Sequence, residues 1–277
     1  MTRTALITIV HGRREHLLQQ RRAVLRSVEQ PDHHVIVAMD DEELGRSALP
    51  ELEGVHLVHL RSAPTEHGLP LARARNLGAA TARALGAEVL VFLDVDCLPG
   101  EALIGAYREA AVEHGGRLLS GPVTYLDPPP TGGYDLTALT ELDAPHAARP
   151  APAAAEIELG GRHELFWSLS FAVTTATWLS IGGFSEEYSG YGGEDTDFAF
   201  CARARGVELA WIGSARAYHQ HHEVERPPVS HLDDIVRNGA VFARHWGSWP
   251  MLGWLEEFER RGLVMRTADG GFERTRG

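Results

Sequence analysis

Two acidic motifs in this sequence carry side chains that bind cations or accept protons. Residues 94–96 read Asp-Val-Asp, and residues 192–197 read Gly-Gly-Glu-Asp-Thr-Asp. Carboxylate oxygens are ligands that Mg²⁺ and Mn²⁺ prefer, and a carboxylate held beside a hydroxyl serves as a general base. The sequence therefore indicates a cation site and a proton acceptor, provided that the fold brings the two motifs together.

The first motif follows a run of five apolar residues, 89–93, which is typical of a central strand covered on both faces. In open α/β sheets, ligands bind beyond the carboxyl ends of the strands. Alternation along an extended chain places Asp94 and Asp96 on one side and turns Val95 into the core. The alternative is an ordinary acidic turn, since aspartate is common after strands.

The second motif opens a predicted helix that runs to about Arg205. Acidic residues cap the amides of a helix N-terminus and complement its dipole, so an ordinary helix start is the alternative explanation. Three carboxylates within four positions exceed what capping requires, because they repel one another. This crowding favours a chemical role for Glu194 and Asp195.

A histidine-rich segment, Tyr-His-Gln-His-His at residues 218–222, offers further metal ligands. Imidazole binds Mn²⁺ and Zn²⁺ well, and His219 and His221 share one side of an extended segment. A polar loop with solvated histidines is the alternative for each of them. A zinc site made of histidines alone is less favoured, because the chain has no cysteine pair or His-Glu-x-x-His spacing.

The elements that must position these motifs follow an α/β pattern, in which short apolar runs alternate with helical periods. Proline, glycine and alanine dominate residues 127–156, which predicts a long and partly mobile loop. The predicted strands are 5–10, 34–39, 55–60, 89–93, 118–123 and 207–212, and the predicted helices are 17–28, 71–85, 101–114, 194–205 and 231–245.

Charge and composition exclude some classes of function. The 277 residues carry 38 Asp and Glu against 26 Lys and Arg, a net charge of −12, which argues against a nucleic-acid partner. A small nucleotide diphosphate remains compatible, because a divalent cation bridges it to carboxylates. Two cysteines, no secretory pattern and no apolar stretch near 18 residues predict a cytoplasmic protein without a transmembrane segment.

The order of the motifs resembles family 2-type nucleotide-diphospho-sugar glycosyltransferases, and the second half resembles the C-terminal region of β-1,4-galactosyltransferases. Residues 8–13 with Asp40, residues 71–78 followed by 94–96, and residues 182–184 followed by 191–197 carry the resemblance. It implies an α/β GT-A fold, with a central, mostly parallel mixed sheet flanked by helices and a helical C-terminal extension. It also implies two parts, a glycosyltransferase domain at 1–226 and a helical C-terminal cap at 227–277. The domain would comprise a donor-binding half at 1–126, a flexible loop at 127–156 and an acceptor and catalytic half at 157–226.

The resemblance also implies an activity: metal-dependent, inverting transfer of a hexose from a UDP-linked donor to an acceptor hydroxyl. Asp195 would be the general base, and Glu194 would hold hydroxyls of the acceptor or donor sugar. Asp96 would bind Mn²⁺ or Mg²⁺ together with His219 or His221. Donor-binding positions are implied at His11, Arg13, Asp40, Arg75, Asp94, Val95, Tyr191 and Gly193.

Several features separate this chain from the galactosyltransferases. Tyr191 stands where they carry a tryptophan, and their membrane anchor and cysteine pattern are absent, so substrate and compartment do not carry over. Trp167 is a candidate for stacking on a sugar, with core packing as the alternative. Two other functions remain as alternatives: a non-catalytic sugar-nucleotide or glycan-binding protein, and a sugar nucleotidylyltransferase. The latter needs a lysine- and glycine-rich phosphate loop near the first strand, which this sequence lacks.

Overall fold

The computed structural model of the chain describes residues 2–45, 53–62, 67–223 and 225–275. Within these ranges the helices are α1 Arg14–Leu25, α2 Leu71–Ala84, α3 Leu103–Glu113, α4 Thr175–Ile181, α5 Glu194–Ala204, α6 Leu232–Trp246 and α7 Leu252–Arg260. The strands are β1 Thr4–Val10, β2 His33–Met39, β3 Val55–Leu60, β4 Val89–Leu93, β5 Cys97–Pro99, β6 Leu118–Ser120, β7 Val123–Tyr125, β8 Ile157–Gly161, β9 Ser170–Thr174, β10 Leu209–Ile212, β11 Ala217–His219, β12 Val264–Arg266 and β13 Phe272–Arg274.

Eight strands form the central sheet in the order β3-β2-β1-β4-β9-β6-β10-β8. The strands from β3 to β4 are parallel, whereas β9 runs antiparallel to both of its neighbours. Every residue of β1 and β4 is buried, as expected for strands covered on both faces. Helices α2, α4 and α5 pack on one face and α3 on the other. The predicted mixed, mostly parallel sheet is confirmed.

A second sheet of three strands, in the order β5-β11-β7, lies beyond the end of β4. Its register sets His219 opposite both Cys97 and Tyr125. The segment that follows the Asp-Val-Asp motif therefore lies beside the histidine segment, although more than a hundred residues separate them along the chain.

The predicted strand at 118–123 is wrong in one respect: it is two strands, β6 and β7, in different sheets. The break falls at Gly121 and Pro122. A β-carbon on Gly121 would lie 1.9 Å from the carbonyl oxygen of Ala215, so another part of the backbone occupies that space. Proline has no amide hydrogen for a sheet ladder, and the chain changes sheet at this point.

The segment at 127–156 is irregular, as expected, with one short 3₁₀ turn at Leu139–Leu142. Several contacts fix it to the sheets. The amide of His146 donates to the carbonyl oxygen of Val123, and the buried Arg149 donates to Ser120 Oγ at 2.8 Å. Its predicted mobility stays a prediction.

The C-terminal part is helical, as predicted, but it also contains the β12–β13 hairpin, which the sequence pattern did not indicate. Helices α6 and α7 and the hairpin share a small apolar core that includes Leu255, Phe258 and Phe272. Asp197 of α5 ties this part to the rest of the molecule, because it accepts a hydrogen bond of 2.8 Å from Trp246 Nε1.

Close packing of α2 on the sheet gives a stability prediction. A β-carbon on Gly78 would lie 2.5 Å from Ile7 Cγ2, whereas one on the helical Gly253 of α7 meets nothing within 4 Å. Alanine is the better helix former at both sites by up to about 1 kcal/mol. We expect Gly253→Ala to be neutral or stabilising, and Gly78→Ala to lower the free energy of unfolding by about 1–2 kcal/mol through overpacking. Urea unfolding measures the free energy of unfolding of both variants. Equal changes in the two would contradict the packing argument.

Candidate active site

The Asp-Val-Asp motif forms a tight turn at the end of β4. The amide of Asp94 donates to the carbonyl oxygen of Leu169, and the amide of Cys97 donates back to the carbonyl oxygen of Asp94. Val95 is buried, as the alternation argument predicted, while Asp94 and Asp96 are half-buried. The turn thus directs both carboxylates toward the same cleft.

Asp96, His219 and His222 form a group with metal-ligand character. One ligand atom from each lies within 4.8 Å of the others. Asp96 Oδ2 is 3.7 Å from His222 Nε2, and the His219 and His222 rings are 5.3 Å apart. One carboxylate with two imidazoles can bind a divalent transition-metal ion, of which Mn²⁺ is one. Within the described residues, this is the one such group of three.

His222, rather than His221, completes this group. The prediction of His221 assumed that the chain stays extended after His219, but β11 ends at His219. Beyond the strand, His222 rather than His221 lies near His219. His221 is exposed, and its backbone amide donates to the hydroxyl of Tyr134 at 3.0 Å. Sequence reasoning missed His222 because it extended the strand beyond His219.

The protonation of this group favours cation binding. Burial lowers the pKa of His219 to about 4, which keeps its imidazole neutral at physiological pH. Burial raises the pKa of Asp96, but the hydrogen bond from His16 and the charge of Arg13 outweigh it, so the net pKa lies below the ordinary value. A neutral imidazole and an ionised carboxylate are the forms that bind a metal.

The second acidic motif begins α5. Gly192 and Gly193 both have φ of 92°, a conformation that favours glycine, and they turn the chain sharply into the helix. Glu194 is buried and Asp195 is half-buried. Asp195 accepts a hydrogen bond of 2.7 Å from the amide of Thr196. The helix start therefore holds both carboxylates at fixed positions.

Both carboxyl groups of this pair are harder to ionise than usual. Burial, and then the charge of Asp195, raises the pKa of Glu194 to about 7. Burial also raises the pKa of Asp195, against hydrogen bonds from Thr196 and the charge of Arg75. One oxygen of Glu194, Oε2, is buried without a hydrogen-bond partner. Acids with pKa values perturbed in this way are typical of functional sites.

Arg75 joins the two acidic motifs. Its Nη2 lies 3.0 Å from Asp94 Oδ1, and its Nη1 lies 3.4 Å from Glu194 Oε1. The side chain is 4% exposed and lies over the ring of Phe184. Arg75 is thus buried against the two carboxylates rather than solvated. The nucleotide contact that the resemblance implies for Arg75 stays a prediction.

Helix α6 fixes the loop that precedes α5. The buried Asn238 donates from Nδ2 to the carbonyl oxygens of Ser189, Tyr191 and Gly192 at 3.0, 3.2 and 2.9 Å. Asp234 accepts from the amide of Tyr191 at 3.1 Å. Sequence reasoning missed both residues, because nothing in the helical pattern of α6 distinguishes a loop-binding side chain from an ordinary polar one.

The N-terminal residues implied in donor binding lie at the ends of β1 and β2. His11 Nδ1 is 2.8 Å from the carbonyl oxygen of Met39, and Arg13 Nη1 is 3.8 Å from Asp96 Oδ1. Arg13 and Asp40 both have left-handed backbone conformations, with φ of 46° and 44°. Asp40 accepts hydrogen bonds from the hydroxyl of Ser62 and from its amide, the latter at 2.7 Å. Both bonds lower the pKa of the Asp40 carboxyl, the one from the hydroxyl more strongly. Arg13 is the member of this set that reaches the cleft.

The cleft has a volume of about 1570 Å³ and is lined by the first acidic motif, the histidines and two aromatic walls. On one wall Tyr125 stacks on His219, with ring centroids 4.6 Å apart. On the other, Tyr191 stacks on His231 at 4.5 Å. Trp167 lies behind the first wall, half-buried against His146. The aromatic faces match the apolar faces of sugar rings.

Solved structures with the same architecture identify the fold. A crystal structure of GalNAc-T7 with UDP, GalNAc and Mn²⁺ has a TM-score of 0.57 at 13% identity, covering 80% of this chain and 44% of that one. A crystal structure of S. aureus TarS 1-349 has a TM-score of 0.57 at 12% identity, covering 88% and 65%. The same TarS fragment in complex with UDP-GlcNAc has a TM-score of 0.53 at 12% identity, covering 81% and 60%.

Sequence comparisons point the same way. Residues 151–236 match a family model described as the N-terminal domain of galactosyltransferase. Chondroitin synthase of Pasteurella multocida (strain Pm70) is 27% identical over 182 residues, which are 56% of this chain and 18% of that protein. Validoxylamine A glucosyltransferase of Streptomyces hygroscopicus subsp. jinggangensis is 26% identical over 208 residues, 68% of this chain and 47% of that protein. The chain therefore has a GT-A fold, and parts of its sequence are similar to glycosyltransferases.

This GT-A chain spans about half, or less, of the length of the curated relatives it matches. In the part of it that the structure describes, no helix combines the length and apolar character needed to cross a bilayer.

The raised pKa of Glu194 gives this GT-A chain a specific dependence of stability on pH. From its ordinary value near 4.5 up to about 7, the folded state holds a proton that the unfolded state has lost, so stability falls as pH rises through this window. Glu194→Gln removes the titration. We expect the free energy of unfolding of Glu194→Gln, relative to the wild type, to rise by about 2 kcal/mol between pH 5 and 8.

Urea unfolding at several pH values, without divalent cations, measures this difference. Glu109→Gln, at an exposed position of α3, is the matched control and should show no such trend. If the free energies of unfolding of Glu194→Gln and the wild type differed by the same amount at every pH, Glu194 would not be held in its neutral form.

Proposed function

We propose that the chain is a metal-dependent, inverting glycosyltransferase that moves a hexose from a nucleotide-diphosphate sugar to an acceptor hydroxyl. The observation that carries this proposal is the contact of Arg75 with Asp94 on one side and Glu194 on the other. It joins the cation-binding motif, which lines the cleft, to the start of the proton-accepting motif. A structural neighbour crystallised with UDP and Mn²⁺, and another with UDP-GlcNAc, support a UDP-linked donor.

Asp96, His219 and His222 are the residues that would hold the metal ion. Their donor atoms fit Mn²⁺ or Mg²⁺ in number and chemistry, although imidazole favours Mn²⁺. A bound divalent ion would neutralise charge that develops on the departing diphosphate. Arg13, beside Asp96 in the cleft, adds a second positive charge for the same phosphates. This pairing explains how a chain of net charge −12 accepts an anionic donor.

Asp195 is the proposed general base. Its raised pKa makes it a better proton acceptor than an exposed aspartate, while the hydrogen bond from the Thr196 amide fixes its orientation. It takes the proton from the acceptor hydroxyl as that oxygen attacks the anomeric carbon, and the attack from the face opposite the leaving group inverts the centre. Glu194, whose Oε2 has no partner within the described residues, is placed to accept from a sugar hydroxyl.

The two alternative functions are less well supported. A nucleotidylyltransferase places a lysine-containing, glycine-rich loop against its phosphates, and this sequence contains no lysine. A non-catalytic binding protein has no use for a buried pair of acids with raised pKa values. Isothermal titration with a UDP-hexose, with and without Mn²⁺, followed by an assay of released UDP, separates a binder from an enzyme.

The base assignment predicts a large effect of Asp195→Asn. Loss of a general base typically lowers turnover by about 10²–10⁴-fold. We expect kcat to fall by that factor while the dissociation constant for the UDP-sugar with Mn²⁺ stays within a few-fold of wild type. The assay is UDP release from a panel of UDP-hexoses with saccharide acceptors. Asp233→Asn, an exposed residue paired with Arg274, is the control. Transfer by Asp195→Asn near the wild-type rate would show that another group takes the proton.

The metal group predicts a contrast between adjacent histidines. We expect His222→Ala to weaken Mn²⁺ binding, measured by isothermal titration in the presence of UDP, by at least about 10-fold, because one of three protein ligands is lost. His221→Ala should bind Mn²⁺ like the wild type, since its side chain lies outside the group. The reverse order of effects would restore the extended-strand assignment of His221.

A further inference from the structure

Asp96 shares its two carboxylate oxygens between different partners. Oδ1 lies 2.5 Å from His16 Nδ1, in the first turn of α1, and 3.8 Å from Arg13 Nη1. Oδ2 is the oxygen that faces His222. We propose that His16 is a positioning residue for metal binding, which holds Oδ1 so that Oδ2 faces the cation. This role rests on the proposed function, since it concerns the same metal group.

One face of α1 is occupied in holding the motif turn. His16 and Gln20 are four residues apart, so they lie on the same side of the helix. The buried Gln20 donates from Nε2 to the carbonyl oxygens of Asp94 and Cys97, at 2.7 and 2.9 Å. Gln20 thus fixes the backbone on both sides of Asp96, and His16 fixes the side chain between them.

The histidine segment fixes His16 from the other side. The amide of Gln220 donates to the carbonyl oxygen of Asp96 at 2.7 Å, and its Nε2 donates to the carbonyl oxygen of His16 at 3.2 Å. Gln220 is buried and directly follows His219, two residues before His222. The positions of α1, the acidic turn and the two histidines are therefore mutually determined before any ion binds.

His16 does not fit the part of a direct ligand. It lies outside the group whose donor atoms approach within 4.8 Å, and its ring centroid is 6.3 Å from that of His222. Its Nδ1 carries the hydrogen that reaches Asp96, so that nitrogen has no lone pair for a cation. A histidine that donates to a ligating carboxylate restricts the carboxylate to one orientation, and loss of such a partner typically lowers metal affinity by about 10–100-fold.

Two substitutions separate positioning from packing. His16→Leu keeps much of the volume and removes the donor, whereas the side-chain amide of His16→Asn places an N–H close to the position of Nδ1. Glu15→Gln, at the neighbouring exposed position, is the control. Titration calorimetry with Mn²⁺ and UDP gives the affinity, the electron paramagnetic resonance spectrum of bound Mn²⁺ reports its ligand field, and thermal unfolding without metal reports folding.

We expect His16→Leu to lower Mn²⁺ affinity by about 10–100-fold with a broadened spectrum, and His16→Asn to recover most of the affinity, at similar unfolding temperatures. Wild-type affinity in His16→Leu would overturn the proposal, as would an equal loss in both variants, which would make the imidazole itself a ligand. If wild-type protein bound UDP-sugar but no Mn²⁺, metal dependence in the proposed function would fail, and the role of His16 with it. If every variant behaved as expected but no sugar were transferred, only the catalytic part of the proposed function would fail.

Discussion

The arrangement of the site depends on one buried guanidinium. Arg75 is 4% exposed, and burial of a charged group is unfavourable unless opposite charges and hydrogen bonds compensate it. Asp94 and Glu194 supply that compensation from two elements that are far apart in sequence, β4 and α5. Removing one partner of a buried pair typically costs about 3–5 kcal/mol, because the other charge is left uncompensated. Separating the two acidic motifs would leave the buried charge of Arg75 without one of its partners, so stability favours their closeness.

Around this contact, the two motifs are held by different kinds of support. The first motif is fixed by the central sheet through β4 and by α1, whose Gln20 binds the backbone of the turn. The second is fixed by the C-terminal part, because Asn238 and Asp234 of α6 bind the loop before α5, and Asp197 binds Trp246 in return. The metal side of the cleft is thus built on the core of the sheet, while the base side depends on a peripheral helix. Displacement of α6 would alter the base side first.

The sequence contained enough information to predict the sheet and the first motif, because both follow from local patterns. Five apolar residues before Asp94 predicted a covered central strand, and alternation predicted the buried Val95. Local sequence patterns gave wrong predictions where contacts between segments far apart in the sequence determine the structure. The close approach of Ala215 to Gly121 accompanies the division of a predicted strand into two, and the end of β11 at His219 brings His222 rather than His221 near Asp96. Arg75 illustrates the same limit, since its contacts with Asp94 and Glu194 join segments that are far apart in the sequence. The domain bounds and the mobility of residues 127–156 stay predictions.

The carboxyl groups of the two acidic motifs differ in their surroundings, and this difference separates their chemistry. Asp96 is flanked by His16 and Arg13, which lower its pKa and keep it ionised, the form that the proposed metal site requires. Glu194 is buried and Asp195 is half-buried beside it, and the pKa of both carboxyl groups is raised. Groups whose environments move their pKa values apart take different parts in acid–base chemistry. A cation bound at Asp96 would add positive charge to the cleft, which favours ionisation of Asp195 at the moment when the donor is in place. A bound cation would therefore increase the fraction of Asp195 in its ionised, proton-accepting form, while lowering the basicity of that carboxylate.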